Sequence, residues 1–571
     1  MFAQVGLGLA VGLLAAGTAH ADARPLPTVR TDVSNRLGNA GIRYNANPTT
    51  GELVEHTGVC QGSRFHCLAR IVTHQGHIQP HAAVAGTSAK MIQDAYGITG
   101  QTMSSTATIA IVDAFGYSTL EADLGVYRTQ MGLPPCTTAN GCLKILNQTG
   151  GTALPANPPA NDDWTVETAL DVDMASAACP TCKIVVYQTT TDQDDGLFIA
   201  NNTAAAAGVT VISNSWGGAE QGSESAYESY FAHPGIAIFV AAGDDGYNDN
   251  GKGPDYPGTS GNTISVGATA LLGSTGNYTE RVWGGTGATY SATQITQTGA
   301  GGSACSLSIP KPSYQPANSG CQFKATADVS ALGDPSTGPA IYDSNAGGWQ
   351  TVGGTSASSP MVAAMIAGSG HGSITGKFFY DNASKFHDVT QGANGSCNTI
   401  LCKAGTGWDG PTGVGTPNVA AIISTGGGTG GNLTIGISAP APNAVVGQGF
   451  HVTATASAGV VMAQLLVDGN IVDEVNAAPF TFTAPTDLTL GDHMIEVDAF
   501  DTGGNTAVTQ EDVTVTADGP TNPDPVGGGN GNNPPTSNDV VGGCAAGGSG
   551  AGLGTLLALG AVVIRRRRKV A

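Results

Sequence analysis

Gly353-Gly354-Thr355-Ser356-Ala357-Ser358-Ser359-Pro360 stands directly before Met361-Val-Ala-Ala-Met-Ile-Ala367. A helix made only of small and apolar residues has no polar face to turn to water, so it must be buried. The paired glycines let another backbone approach closely. Ser356 falls at the N-terminal end of the helix, where the partial positive charge favours a developing anion. Four further runs read as strands: Thr108-Ile-Ala-Ile-Val112, Ile184-Val-Val-Tyr187, Val209-Thr-Val-Ile212 and Ile236-Ala-Ile-Phe-Val240. Strands that are apolar throughout are covered on both faces, which predicts a parallel sheet between helices. Residues 88–425 are therefore expected to form one large α/β domain, a doubly wound parallel sheet with the serine helix inside it.

A serine hydroxyl needs a base, and no histidine occurs between Ala82 and Ala232. That interval holds Asp162-Asp-Trp-Thr-Val-Glu167-Thr-Ala-Leu-Asp171, with the leading acids suited to capping a helix. Glu167 and Asp171 are four residues apart and share one helix face. Such a pair is either a solvated acidic face or two carboxyls that hold one proton. The apolar neighbours Ala169, Leu170, Val172 and Ala175 favour the second. Val240-Ala-Ala-Gly243-Asp244-Asp245-Gly246 follows a buried strand. Taken alone, Asp244 reads there as a turn residue.

The Gly-Thr-Ser-x-Ser-x-Pro string resembles that of the subtilisin-like clan of serine peptidases. Taken with the acids, the set resembles the sedolisin, or serine-carboxyl peptidase, family over most of residues 88–425. The resemblance implies a subtilisin-like fold with Glu167 as general base, Asp171 orienting it, Ser356 as nucleophile and Asp244 as oxyanion donor. Asp113, in Ile109-Ala-Ile-Val-Asp113, is expected to be structural. Gly301-Gly302-Ser303 near Lys311-Pro-Ser-Tyr-Gln315, and Asp328-Val-Ser-Ala before Gly333-Asp-Pro, match as well; Ala242 and Ala327 depart from the family's usual Ser and Pro. Near the end of the domain stand Phe386-His-Asp388-Val389 and Ala404-Gly405-Thr-Gly407-Trp-Asp409. Two carboxylates and Gly-exposed carbonyls are hard oxygen donors of the kind calcium takes, although a pair of Gly/Asp turns would look similar. The resemblance implies a Ca2+ site made by the side chains of Asp388 and Asp409 and the carbonyls of Val389, Gly405 and Gly407. The activity implied is endopeptidase cleavage of proteins or peptides at acidic pH through an acyl-enzyme. The alternatives are a histidine-dependent subtilisin-like peptidase and a catalytically inactive surface binding protein.

Outward from this domain the chain changes character. Its 571 residues carry 22 Lys plus Arg against 43 Asp plus Glu, a formal charge of −21, which argues against nucleic acid as a partner. Ten of the eleven cysteines form close pairs, Cys60/Cys67, Cys136/Cys142, Cys179/Cys182, Cys305/Cys321 and Cys397/Cys402, a pattern of local disulfides in an oxidising compartment. Cys179-Pro-Thr-Cys182 has zinc-ligand spacing, but nothing nearby completes a tetrahedral set. Residues 1–21 read as a signal peptide ending in Ala19-His20-Ala21. Residues 22–87 are too short for the family's usual prodomain and are expected to be a reduced propeptide or a retained segment. A Gly-rich linker at 426–431 precedes short alternating strands at 432–517, where Asp468-Gly469 signals a tight hairpin. That segment resembles bacterial immunoglobulin-like modules, so a small all-β sandwich is expected there. A Pro/Gly/Asn-rich linker spans 518–543. The tail 544–571 holds Cys544, the uncharged stretch Ala545–Ile564 and the cluster Arg565 to Lys569. It resembles the C-terminal sorting signals of myxobacterial surface proteins, with an ordinary transmembrane anchor as the alternative. Both predict an exported monomer held at the membrane by its tail before any processing, secreted or on the cell surface.

Overall fold

The computed structural model describes residues 41–521, apart from 61–63, 160–161, 285–298, 425–432, 458 and 502–505. The expected signal peptide, Gly linker and C-terminal tail lie outside the described residues. Among the described residues no helix is long and apolar enough to cross a membrane.

The four apolar runs lie side by side as strands Lys183–Thr189, Thr108–Ala114, Val211–Asn214 and Ala237–Ala241, all parallel. Leu143–Asn147 adds at one side, and Ile264–Ser274, Val329–Leu332 and the antiparallel Asn277–Val282 extend the other, giving an eight-stranded sheet. Residues such as Ile109, Ile111, Ile184, Val186, Ile212 and Val240 are buried, as strands sandwiched on both faces require.

Helices Trp164–Ala178 and Thr355–Gly368 pack against each other, and the second lies on the central strands. Every residue of both is buried. Their alanines explain how two fully enclosed helices fit between sheet and surface: small side chains let the backbones approach closely. Asp163 stands at the N-cap of the first helix, but its side chain accepts from Thr165 Oγ1 (2.8 Å) and makes no capping bond to a backbone amide. The capping expected of the leading acids is thus positional only.

Five disulfides join the five close cysteine pairs. The Cys179–Cys182 bond removes the zinc alternative, since a disulfide sulfur is no thiolate ligand.

The N-terminal segment is built into the α/β part. Arg43–Ala46, Leu53–Gly58 and Arg70–His74 form a meander. Its last strand pairs antiparallel with Gly348–Gly353, the strand that leads into the serine helix, through Val352 opposite Ile71 and Gly353 opposite Arg70.

The C-terminal strands form two sheets. Ile435–Ala439, His451–Ala456 and Phe480–Thr483 make one; Ala444–Gly447, Thr506–Thr516, Gly491–Asp501, Val460–Val467 and Asn470–Val475 make the other. Phe450, Val452, Phe480, Phe482, Leu465, Val497 and Val513 fill the core between them. The Asp468-Gly469 turn takes positive φ at both residues (51° and 78°) and sets Val467 opposite Asn470, as a two-residue hairpin requires.

Candidate active site

Asp113, Asn214-Ser215 and Ala242-Gly243-Asp244 all lie at or just past the carboxyl ends of adjacent parallel strands. That edge is where open α/β sheets carry their sites. The N-terminus of the serine helix meets it, because Gly354 turns the chain with φ of 104°. A Cβ on Gly354 would sit 2.8 Å from Asp244 Oδ2 and 2.1 Å from the Leu68 carbonyl, so the close approach needs glycine at this position.

Ser356 is fully buried, and its hydroxyl donates to the Ser215 carbonyl at 3.0 Å. Glu167 and Asp171 are also buried without exposure, on the helix face turned to Ser356 and Ser215. Among the described residues no donor outside the cluster satisfies their four carboxyl oxygens. The two carboxyls interact with each other, with Ser356 beside Glu167 and Ser215 beside Asp171. Burial raises the pKa of both well above the usual carboxylate range, and the negative charge of Asp113 pushes in the same direction. Two such groups in contact hold at least one proton between them. Asp113 itself is pushed up to about 7 by burial. Read from the sequence as structural, it is a third carboxyl facing the pair.

Asp244 Oδ1 accepts from the Thr355 amide (2.8 Å) and hydroxyl (3.0 Å), whereas Oδ2 is buried with no hydrogen-bond partner among the described residues and faces Gly354. Burial pushes this carboxyl up to about 7, against the opposing charge of Arg70. A neutral carboxyl with its hydroxyl at Oδ2 would be a hydrogen-bond donor aimed into the space over Gly354. Ser356 N–H opens into the same space and donates to Leu68 O at 3.1 Å. Ser215 and the Leu68 carbonyl were not legible as site residues, because each arrives from a segment distant in sequence and contributes a backbone atom. Among the described residues no histidine side chain hydrogen-bonds Ser356.

Around the second candidate site, Asp388 Oδ2 accepts from Gly407 N and Asp409 Oδ2 from Gly405 N, both at 2.9 Å. Asp409 Oδ1 takes Thr412 N (3.0 Å) and Oγ1 (2.8 Å). Val389 is buried against Val282 and Ala404. The five expected positions thus come together in one loop pair. The donors are oxygens throughout, Asp409 is buried with Asp388 as a like-charged neighbour, and a Cβ on Gly405 or Gly407 would meet nothing. This set fits a hard cation.

Residues 156–370 match the Subtilase family and residues 434–497 match a bacterial Ig domain. Kumamolisin of Bacillus sp. (strain MN-32) is 32% identical over 299 residues, covering 47% of this chain and 51% of that protein. Sedolisin of Pseudomonas sp. (strain 101) is 31% identical over 334 residues, covering 52% of this chain and 55% of that protein. The chain spans about half the length of these curated relatives. The solved structure of Pseudomonas sedolisin complexed with two molecules of pseudo-iodotyrostatin superposes with a TM-score of 0.50 at 24% identity, over 60% of this chain and 98% of that one, which bears on the fold alone. With buried carboxyls and a buried serine meeting at the sheet edge, the α/β part of this chain has the subtilisin-like fold and is similar to the sedolisin-type peptidases kumamolisin and sedolisin, and a match to a bacterial immunoglobulin-like domain follows it.

Proposed function

We propose that this chain is an exported serine-carboxyl endopeptidase that cleaves protein or peptide substrates at acidic pH. The observation that carries the reading is the enclosed cluster of Ser356, Glu167, Asp171 and Asp244, in which burial raises all three carboxyls, so that Glu167 and Asp171 share one proton and Asp244 keeps its own in acid. The Ser356 hydroxyl turns from Ser215 O toward Glu167, which takes its proton as the oxygen attacks the scissile carbonyl. Asp171 is a positioning residue that keeps Glu167 oriented through their shared proton. Ser356 N–H and protonated Asp244 hold the oxyanion. The proton on Glu167 passes to the leaving amine, and water then hydrolyses the acyl-enzyme.

The cluster works only while Asp244 keeps its proton, so activity belongs below about pH 7, where that carboxyl titrates. The test is a pH–rate profile on a denatured protein for the native chain, Ser356→Ala and Glu167→Gln. An acid optimum lost in both variants supports the reading; activity that peaks above neutrality and survives Glu167→Gln overturns it.

Asp388 and Asp409, with the carbonyls of Val389, Gly405 and Gly407, would hold Ca2+. Bound there, the ion supplies charge that offsets the two carboxylates and fixes the loop pair. Export fits the five disulfides.

A further inference from the structure

We propose that the cavity between the α/β part and the immunoglobulin-like sandwich binds a small primary amine with an apolar body, its ammonium seated on Asp498. The site is independent of the peptidase reading. It lies against Ile236, Ile238 and Ile264, at the amino ends of two central strands, whereas Ser356 stands at the carboxyl edge of the same sheet.

Strand alternation identifies the face that builds the cavity. In Val460–Val467 and Gly491–Asp501, Leu465, Val497 and Ala499 fill the core of the sandwich. Gln464, Leu466, Asp498 and Phe500 therefore point to the other face of that sheet. The outer face of a small sandwich ordinarily meets water, yet Leu466 and Phe500 are 3% and 5% exposed and Gln464 and Asp498 8% each. The α/β part covers them. Ser313 Oγ donates to Glu474 Oε2 at 3.2 Å, and a Cβ on Gly469 would lie 3.8 Å from that of Ala232. Between the two surfaces is a cavity of about 560 Å³, a volume ordinary for a small-molecule site.

The polar groups around it leave one acceptor to be filled. Glu474, Gln464 and Asp498 stand in a single cross-strand row. Gln464 spends its amide on Glu474 (2.9 Å), and Asp498 beside it keeps a buried Oδ1 with no hydrogen-bond partner among the described residues. Burial and the like charge of Glu496 push this carboxyl up to about 8. The basic residues that line the cavity are engaged elsewhere. Lys311 Nζ donates to Pro316 O (2.6 Å) and Ser319 Oγ (2.8 Å), and His233 Nε2 faces Asn202 Oδ1 (2.9 Å) and Tyr230 O (3.1 Å). An enclosed carboxylate needs a counter-charge, which neither supplies. An ammonium supplies both the charge and the missing donor. Ile309, Leu466, Phe231 and Phe500 offer the apolar body its contacts, and an aromatic wall suits a cation as well. A lysine of a protein partner carries the same ammonium but brings peptide groups against these apolar walls, so the free amine is the better fit.

The test titrates the full chain by calorimetry at pH 8.5, above the Asp498 value, with 2-phenylethylammonium, the neutral 2-phenylethanol and Nα-acetyl-lysine amide. The expected result is one saturable site for the ammonium, with the alcohol and the acetyl-lysine amide each bound ~10-fold more weakly or worse. Asp498→Asn keeps the shape of the side chain and should weaken the ammonium by ~10–100-fold, the worth of a hydrogen bond to a charged group, with circular dichroism and the thermal midpoint reporting that it is folded. If that variant does not fold, the comparison of ammonium and alcohol on the native chain decides alone. Ammonium and alcohol bound alike, no saturable ammonium binding, or full ammonium binding in folded Asp498→Asn overturns the site. Acetyl-lysine amide bound as tightly as the free amine overturns the assignment to a free amine in favour of a lysine side chain.

Discussion

Asp244 sets the alkaline limit of the proposed chemistry, because a carboxyl donates to an oxyanion only while protonated. In Asp244→Asn the amide can keep the Thr355 contacts with its oxygen and donate from its nitrogen at every pH. We expect this variant to retain measurable activity and to lose the fall in rate near pH 7, whereas Asp244→Ala drops kcat by ~10²–10³-fold, the usual cost of an absent oxyanion donor. Initial rates from pH 3 to 9 decide; an Asn variant whose rate still falls at the same pH places that titration elsewhere. Glu167→Gln removes the base while keeping the shape, so activity should fall by ~10²–10⁴-fold at all pH values, the span general base catalysis contributes. Gly354→Ala is expected to be inactive and poorly folded, since the new Cβ would overlap the Leu68 carbonyl at a φ of 104°.

At the scale of elements, the proposed calcium site makes the loop pair around Asp388 and Asp409 the part expected to depend on a cation for its order. Chelation should lower the thermal midpoint by several degrees, and calcium should restore it better than magnesium, which demands tighter octahedral geometry. A scan that chelation leaves unmoved would end the calcium reading. The Asp468-Gly469 hairpin makes a separate prediction. Gly469→Ala, at φ of 78°, should destabilise the β-sandwich by ~1–2 kcal/mol without changing peptidase activity, since left-handed backbone costs a residue with a Cβ about that much. Calorimetry of the two transitions would show it.

For the whole molecule, burial of carboxyls makes acid the stabilising condition. Asp113, Asp244 and Asp343 are pushed up to about 7 and Asp498 to about 8, all first by burial. Each is neutral and unpenalised below the unfolded value near 4. As pH rises past that value the unfolded chain loses these protons while the folded one retains them. Stability therefore declines between pH 4 and about 7–8, by up to ~1.4 kcal/mol per pH unit for each group. The thermal midpoint should be highest near pH 4 and fall toward neutrality; a midpoint that rises over that range would contradict this.

Much of this architecture follows from local pattern. Uninterrupted apolar β-branched runs can only be strands covered on both faces. The small and apolar helix after Ser356 can only be buried, the Asp-Gly pair supplies the two positive φ angles of its hairpin, and cysteines close in sequence point to local disulfides. Glu167 and Asp171 share a face because four residues make about one helical turn. None of these inferences needs a distant contact. What the tertiary structure decided are the relations between segments far apart in sequence. Asp113 faces the carboxyl pair because its strand ends at the same sheet edge as the helix that carries them. Ser215 and Ser356 meet through a backbone carbonyl that no side-chain pattern announces. The segment around Leu68 enters the cleft because its amides and carbonyls complete two neighbouring strands, and backbone pairing is blind to residue type.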